Sequence, residues 1–323
     1  MTVFSHYRKA LEALLGAKNP IFILLQSVDA DALGSTMALV HALEKAGVQP
    51  TIFCASAIPT FLQFLVKGRV IENDGNKLNL EHYDLAIVTD AGSIHRTGIQ
   101  SKLEAYVQNG GRLLNIDHHH VHEPFGTVNL IDEMASATAV LVYDILKLGG
   151  WAIDADIATS ILVGIVADTD NFSNAGTTMR ALTIAAECYA KGAEVRQVWR
   201  GLYRHQPLQA LQLWGLILSR LERNDRWGIV ATIILQEDFK RHGLSDEAID
   251  GLANFLSSLS DTKATMVLTE ILDNQIKGSL RTTRDDIDVS KLATALGGGG
   301  HKKAAGFTVP GRLVRTEQGW RIV

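Results

Sequence analysis

Asp29 and Asp31 stand one residue apart where the apolar run Ile21–Leu25 gives out, in the stretch IFILLQSVDADALGS. Two carboxylates that close raise each other's pKa and repel, so something positive is expected between them. The layout recurs: Asp90 ends LAIVTD, Asp117 ends LLNID and is followed at once by His118 and His119, and Asp168 ends ILVGIVAD. A lone Asp-x-Asp after a strand is more often a helix N-cap beside a solvated acid. Clusters that each follow an apolar run point instead to one centre, because ligands of an open parallel sheet bind beyond the carboxyl ends of its strands. Carboxylates with one or two imidazoles suit Mn²⁺ or Mg²⁺, and the lack of thiolates argues against a structural zinc. So many acids exceed the needs of one ion. The expectation is two ions bridged by a shared Asp, able to activate a water and clamp the oxygens of an in-line phosphoryl displacement. His120 and His122 read as exposed loop residues and Asp170 as a turn acid.

Elements that could position these residues alternate through the first half. Apolar runs at 21–25, 51–55, 84–90 and 112–117 are separated by helical periodicity, including a helix from about Gly34 to Ala46. Continuous apolar strands between helices are the mark of a parallel sheet covered on both faces. Helical stretches follow at Ser136–Leu148, Asp154–Val166 and Thr178–Arg223. The segment Tyr203-Arg204-His205-Gln206-Pro207 is the expected break, since Pro disfavours helix in the residue before it. After Arg223 strands and helices mix again in about 100 residues, as in a smaller α/β domain. The expected division is a catalytic domain over 1–187, a helical linker over 188–215 and a substrate-binding domain over 216–323.

A chain of 323 residues that is 46% hydrophobic exceeds the length at which single cores usually stop growing. A net charge of −4, with no stripe of Lys or Arg, excludes a binder of long duplex nucleic acid and leaves room for a short or small anionic ligand. Two cysteines, Cys54 and Cys188, suggest neither a disulfide framework nor a zinc knuckle and fit a reducing cytoplasm. The N-terminus reads as an amphipathic helix without a signal-peptide pattern, and no apolar run approaches membrane-spanning length, so a soluble, uncleaved protein is expected.

Near the C-terminus, Gly297–Gly300 precede His301. Each glycine loses much conformational freedom on ordering, so the run is expected to serve as a nest of backbone N–H groups for an anion. Arg281 offers a planar fork for phosphate, or else a surface ion pair. Lys302 and Lys303 read as solvated.

These motifs carry a resemblance. DADALGS, VTDAGS, IDHHH…FGTVNLID…SAT and GIVADTDNF…TT look like the four motifs of the DHH phosphoesterase superfamily, in order, and GSLRTTRDDIDVSKLATALGGGGHKKAAGF looks like the core of a DHHA1 domain. The architecture is most similar to the nanoRNase/pAp phosphatases and the stand-alone cyclic di-AMP phosphodiesterases. The resemblance implies an N-terminal parallel-sheet domain, a smaller C-terminal α/β domain and an active site in the cleft between them. It implies that Asp29 binds one Mn²⁺, that Asp31, His118 and Asp168 bind the other, and that Asp90 bridges; Mg²⁺ or Co²⁺ could substitute. His119 would approach the substrate phosphate, Asp117 would orient the histidines, and Arg281, Gly298, Gly299, Gly300 and His301 would hold the far end of the nucleotide. The implied substrates are RNA of two to five units, pAp, and linear or cyclic di-AMP. A homodimer is compatible with the resemblance.

One departure stands out. Many members carry a His four residues before the first motif Asp and a Pro just before it, where this chain has Leu25 and Val28. One metal site should then bind more weakly unless Gln26, water or a nearby His substitutes. Two alternatives stay open: a nucleotide-binding regulator with a degenerate metal site, which the intact acids disfavour, and an inorganic pyrophosphatase or exopolyphosphatase-like hydrolase, which the GGGGH element disfavours.

Overall fold

A computed structural model describes residues 3–119, 123–203, 207–249, 251–316 and 319–323. The chain divides into two compact units, Met1–His205 and Gln206–Val323. Arg204, His205 and Gln206, in the expected break, lie outside the described residues.

The first unit opens with α1 (Val3–Leu15), β1 (Pro20–Ile23), α2 (Ala30–Lys45), β2 (Thr51–Phe53), α3 (Gln63–Val66) and β3 (Leu85–Thr89). It continues with α4 (Gln100–Gln108), β4 (Leu113–Asp117), β5 (Val128–Ile131), α5 (Thr138–Leu148), α6 (Ala155–Asp168), α7 (Met179–Ala190) and α8 (Val195–Tyr203). The five strands are all parallel, in the order β2-β1-β3-β4-β5. β1, β3 and β4 are buried at every position, which is why they read as continuous apolar runs rather than alternating ones. Strand order reverses between β1 and β3, so the crevice beyond their carboxyl ends is the position where such sheets bind ligands.

α2 begins four residues before the expected Gly34, because Asp29 adopts an extended N-cap conformation and its side chain accepts a hydrogen bond from Ala32 N. Asp31 therefore sits in the first helical turn instead of a loop. α2 is buried on all sides from Ala30 to Leu43, and α6 is buried from Ile157 to Val166. Helices enclosed this way need small residues where backbones approach. A Cβ on Gly34 would come 2.5 Å from Ser160 O, and one on Gly164 would strike Asp31 Oδ1 and lie 2.7 Å from the Ala139 Cβ. The expected helical region Thr178–Arg223 is three helices and the start of a strand, with Gly192 at φ +88° between the first two.

The second unit contains α9 (Leu208–Leu218), β6 (Glu222–Asn224), β7 (Ile229–Ile234), α10 (Gln236–His242), α11 (Leu252–Leu256), β8 (Ala264–Ile271) and β9 (Gln275–Arg281). It ends with α12 (Val289–Ala295), β10 (Gly299–Gly300), β11 (Ala304–Pro310), β12 (Leu313–Thr316) and β13 (Gly319–Ile322). Its main sheet runs β10-β11-β9-β8-β7-β6, antiparallel except for the β7/β8 pair. The single helix expected near Asp246–Leu259 is instead a short turn at Asp246–Ile249 and α11, broken at Gly251 with φ +83°. Among the described residues no helix is long and apolar enough to cross a membrane.

Gly164 couples packing to the acid cluster, because the atom a side chain would displace belongs to Asp31. Gly164→Ala should destabilise the protein by about 1–3 kcal/mol, the usual cost of overpacking a core, read as a lower urea midpoint with unchanged slope.

Candidate metal centre

The acids converge. Asp31 is fully buried, and it caps the neighbouring helix from α2: its Oδ2 accepts from Thr138 N at 2.5 Å and its Oδ1 from Ala139 N at 3.0 Å, the first amides of α5. Ala137, the residue in the N-cap position of α5, has no side-chain oxygen to offer, so Asp31 supplies the missing acceptor and the helix end favours its charge. Asp90 follows β3 with φ +62°, an unusual conformation for a non-glycine residue. Its amide donates to Ile116 O at 2.9 Å and its Oδ1 accepts from Thr138 Oγ1 at 2.9 Å. Thr89, the last residue of β3, bonds to Ala32 O and to Thr36 Oγ1, tying this strand end to α2.

Asp117 closes β4 and is fully buried. Its Oδ2 accepts from Gly92 N at 2.6 Å, while its Oδ1 takes the His119 amide at 2.9 Å and faces His119 Nδ1 at 3.0 Å. His118 Nδ1 lies 3.2 Å from Ala135 O and its Nε2 lies 2.9 Å from Asp168 Oδ2, at the last residue of α6.

Burial opposes ionisation of this cluster. Asp31 is raised well above the ordinary carboxylate range by desolvation and then by Asp90, Asp168 and Asp29. Asp29 is pushed up to about 7 by desolvation and by Asp90, and Asp168 is raised by desolvation against the pull of His118. For Asp117, burial acts upward, but hydrogen bonds from His119 and Gly92 hold it below its usual value. His119 is pushed up to about 10 by the bonds to Asp117 and Asp90.

A metal fits the residues present. One ligand atom each from Asp31, Asp90, His118 and Asp168 lies within 4.8 Å of the others, and Asp90, His118 and His119 make a second such group. His118 Nε2 is buried and, despite its closeness to Asp168, lacks the alignment of a hydrogen bond. With Nδ1 donating to Ala135 O, Nε2 carries the lone pair that a metal takes. Asp90 belongs to both groups. Asp29 belongs to neither: its side chain is 48% exposed, and its Oδ2 faces Arg96 Nη2 at 3.7 Å. Leu25 is fully buried, and Gln26 packs against Gly98 and donates its main-chain N–H to Arg96 O at 2.7 Å. Beside Asp29 the structure therefore places a guanidinium, whose Nη1 also donates to Ala91 O.

Sequence reasoning did not single out Arg96 or Thr138. The signal for Arg96 was a cation in SIHRTG, just past the second acidic motif; that for Thr138 was its place in SAT, though its role depends on the α5 terminus meeting Asp31. His120 and His122 lie outside the described residues.

In the second unit Arg281 has no carboxylate partner among the described residues. Its Nε donates to Asn254 Oδ1 at 2.9 Å and its Nη1 to Leu280 O at 3.0 Å. Desolvation lowers its pKa, so a largely buried cation stands without a counter-ion among the described residues. The free glycine nest is corrected. Gly297 N and Gly298 N bond to Thr294 O and Ala293 O, Gly299 and Gly300 pair with β11 as a two-residue edge strand, and His301 N bonds to Ala304 O. Most of the expected anion donors are thus engaged within the fold, and Gly298 is required because a Cβ would strike Gly306 O. His301 is exposed, and so is Phe255, next to Asn254.

Raised carboxyl pKa values mean that the metal-free folded protein binds more protons than the unfolded chain between about pH 4 and about 7. The cluster's contribution to stability falls as pH rises through that window, and a divalent cation should restore it. At a hundredfold excess over Kd a bound ion adds about 2.7 kcal/mol, or about 5 °C or more in melting temperature. That increment should be largest above pH 7 and shrink toward pH 5 in thermal melts with and without EDTA; an increment independent of pH would contradict the assignment.

Comparison with known proteins covers both units. The DHH family N-terminal domain matches residues 20–165 and the DHHA1 domain matches residues 228–318. The chain is 30% identical, over 94% of its length and 88% of the relative's, to the bifunctional oligoribonuclease and PAP phosphatase NrnA of Thermus thermophilus. It is 27% identical, over 87% of its length and 86% of the relative's, to the protein of the same name in Bacillus subtilis. An exopolyphosphatase-related protein from Bacteroides fragilis shares the fold at a TM-score of 0.83 and 22% identity, covering 94% of this chain and 91% of that one. Buried acids at the strand ends of a parallel sheet, followed by a DHHA1 domain, make this chain a member of the DHH family.

Proposed function

We propose that the chain hydrolyses short oligoribonucleotides and the terminal phosphate of pAp, with manganese as its metal. The observation that carries this reading is the four-donor group of Asp31, Asp90, His118 and Asp168 around a His118 Nε2 that has no hydrogen bond. The names of the Thermus and Bacillus relatives support the substrate class. Cyclic or linear di-AMP belongs to the same chemical class and is tested with it. A cytoplasmic location accords with two buried free cysteines.

Asp31, Asp90, His118 and Asp168 would hold one ion, and Asp90, with Asp29, would take part in a second. Bound there, divalent metal lowers the pKa of water and draws charge from phosphoryl oxygens. The chain's own groups do the rest. Asp117 fixes the His119 ring through Nδ1, which leaves Nε2 to meet a phosphate oxygen, and the bonds that raise its pKa keep the ring charged for that contact. Ala135 O and Thr138 hold His118 and Asp90 in place before substrate arrives, so little reorganisation is needed at the moment of reaction. In the second unit Arg281, aligned by Asn254, takes a nucleotide phosphate, with the exposed Gly299 and Gly300 letting the ligand approach the backbone and His301 adding a donor.

Parallel assays with Mn²⁺ on pAp, pApA, a five-nucleotide RNA, cyclic di-AMP and pyrophosphate test the reading. Turnover of pAp and pApA is expected; phosphate release from pyrophosphate alone, or nucleotide binding with no turnover, would overturn it. Asp90→Ala removes a donor common to both groups and should lower kcat by about a hundredfold or more. Arg281→Ala should raise KM about tenfold while leaving kcat within about twofold, since its task is placement.

A further inference from the structure

α8 carries a stripe that the centre above does not use. Arg196, Trp199, Arg200 and Tyr203 fall at i, i+3, i+4 and i+7, one face of a helix, and all four are exposed. The opposite face is anchored: Val198 and Gly201 are buried, and a Cβ on Gly201 would strike the Phe64 ring and lie 2.9 Å from Phe61 O. The stripe therefore sits on a rigid mount. Trp199 and Tyr203 are each 38% exposed, with ring centroids 4.8 Å apart and planes at 42°. Neither Arg196 nor Arg200 has an ion-pair partner among the described residues, and Glu194, the sole acid between Lys191 and Tyr203, is bonded to Gln197. A groove of about 510 Å³ is lined by Val195, Arg196, Trp199 and Arg200. The Tyr203 hydroxyl lies 3.5 Å from Val166 O, two residues before Asp168 on α6.

We infer that this stripe is a binding platform for single-stranded RNA, which takes the nucleotides of the substrate beyond the scissile bond. Exposed aromatics interleaved with unpaired guanidiniums are what a single strand needs, since bases stack on the rings and phosphates meet the cations. Charge complementarity selects the occupant: two free arginines favour a polyanion over an apolar protein face, and the link through Val166 brings the stripe toward the acid cluster. The inference rests on the nucleotide-hydrolase reading, because the strand bound is that enzyme's substrate. It adds a length preference. RNA of four or five units gains contacts that dinucleotides and pAp do not reach.

The test compares wild type, Trp199→Ala, Trp199→Phe and the double variant Arg196→Gln/Arg200→Gln. KM is measured for pApA and for a five-nucleotide RNA, and Kd by fluorescence anisotropy of a labelled pentaribonucleotide in EDTA. Trp199→Ala should weaken pentanucleotide binding about tenfold or more, leave the pApA KM within about twofold, and be rescued by Trp199→Phe, which keeps a stacking ring. The double variant should flatten the slope of log Kd against log salt by about 1.4, two contacts at about 0.7 each for a single strand. Equal losses for both lengths, or no loss for either, would overturn the platform. A halved mass of Trp199→Ala in light scattering would also overturn it, by assigning the stripe to contact with a second copy of the chain. Trp199-dependent RNA binding by a wild type that hydrolyses none of the substrates would keep the platform and end the hydrolase reading; normal pApA turnover with Trp199-independent RNA binding would do the reverse.

Discussion

Mutual repulsion among buried carboxylates is the constraint around which the first unit is organised. Asp31 has no contact with solvent, and Asp90 and Asp168 are close enough to raise its pKa further. What keeps such a residue in place without metal is the start of α5, whose first two amides bind both of its oxygens. That arrangement fixes the crossing of α2 against α5, and the glycines at 34 and 164 then let α6 close over the same point and deliver Asp168. Sheet order does the remainder by setting β3 and β4 side by side, so that Asp90 and Asp117 leave adjacent strands at the same edge. Core packing and site geometry are consequently one problem in this unit, since α2, buried from Ala30 to Leu43, also carries Asp31 and is capped by Asp29.

Strain is concentrated where the acids need direction. Asp90 accepts a positive φ that glycine would adopt more readily, and the same region of conformational space recurs in Asp170, Asn171 and Phe172, just after Asp168. Both deviations flank metal-competent residues. For Asp90 the gain is visible: its carboxylate turns back to Thr138, and its amide keeps the pairing to Ile116 O that continues the sheet. A residue at a strand end can in this way serve the ladder with its backbone and the site with its side chain.

Much of this was legible from sequence because the strands are continuous apolar runs and each ends in a chemically distinct residue. β1, β3 and β4 appear where the runs lie, and Asp31, Asp90 and His118 meet as a parallel sheet demands, while Asp168 is brought to them by the end of α6. Asp29 was less transparent. Capping and metal binding ask for the same residue at the same place, and the structure gives it the cap while Arg96 lies across from its other oxygen. That cation comes from 67 residues further along the chain, a separation at which no local pattern can announce a contact. The glycine run was misjudged for a related reason: glycine permits both an open nest and a tightly packed edge strand, and only the approach of β11 decides between them. The same holds for Asn254, whose bond to Arg281 joins α11 to the end of β9.

Charge left unmatched in each unit by itself argues for what the ligand must be. The first unit gathers more buried negative charge than its own donors neutralise, and the second holds a desolvated guanidinium that meets, among the described residues, an amide and a carbonyl oxygen. A free cation would settle the first imbalance and leave the second; a free anion would do the opposite. Buried charges are costly unless paired, so each unit by itself is matched to a ligand of the opposite sign, the first to a cation and the second to an anion.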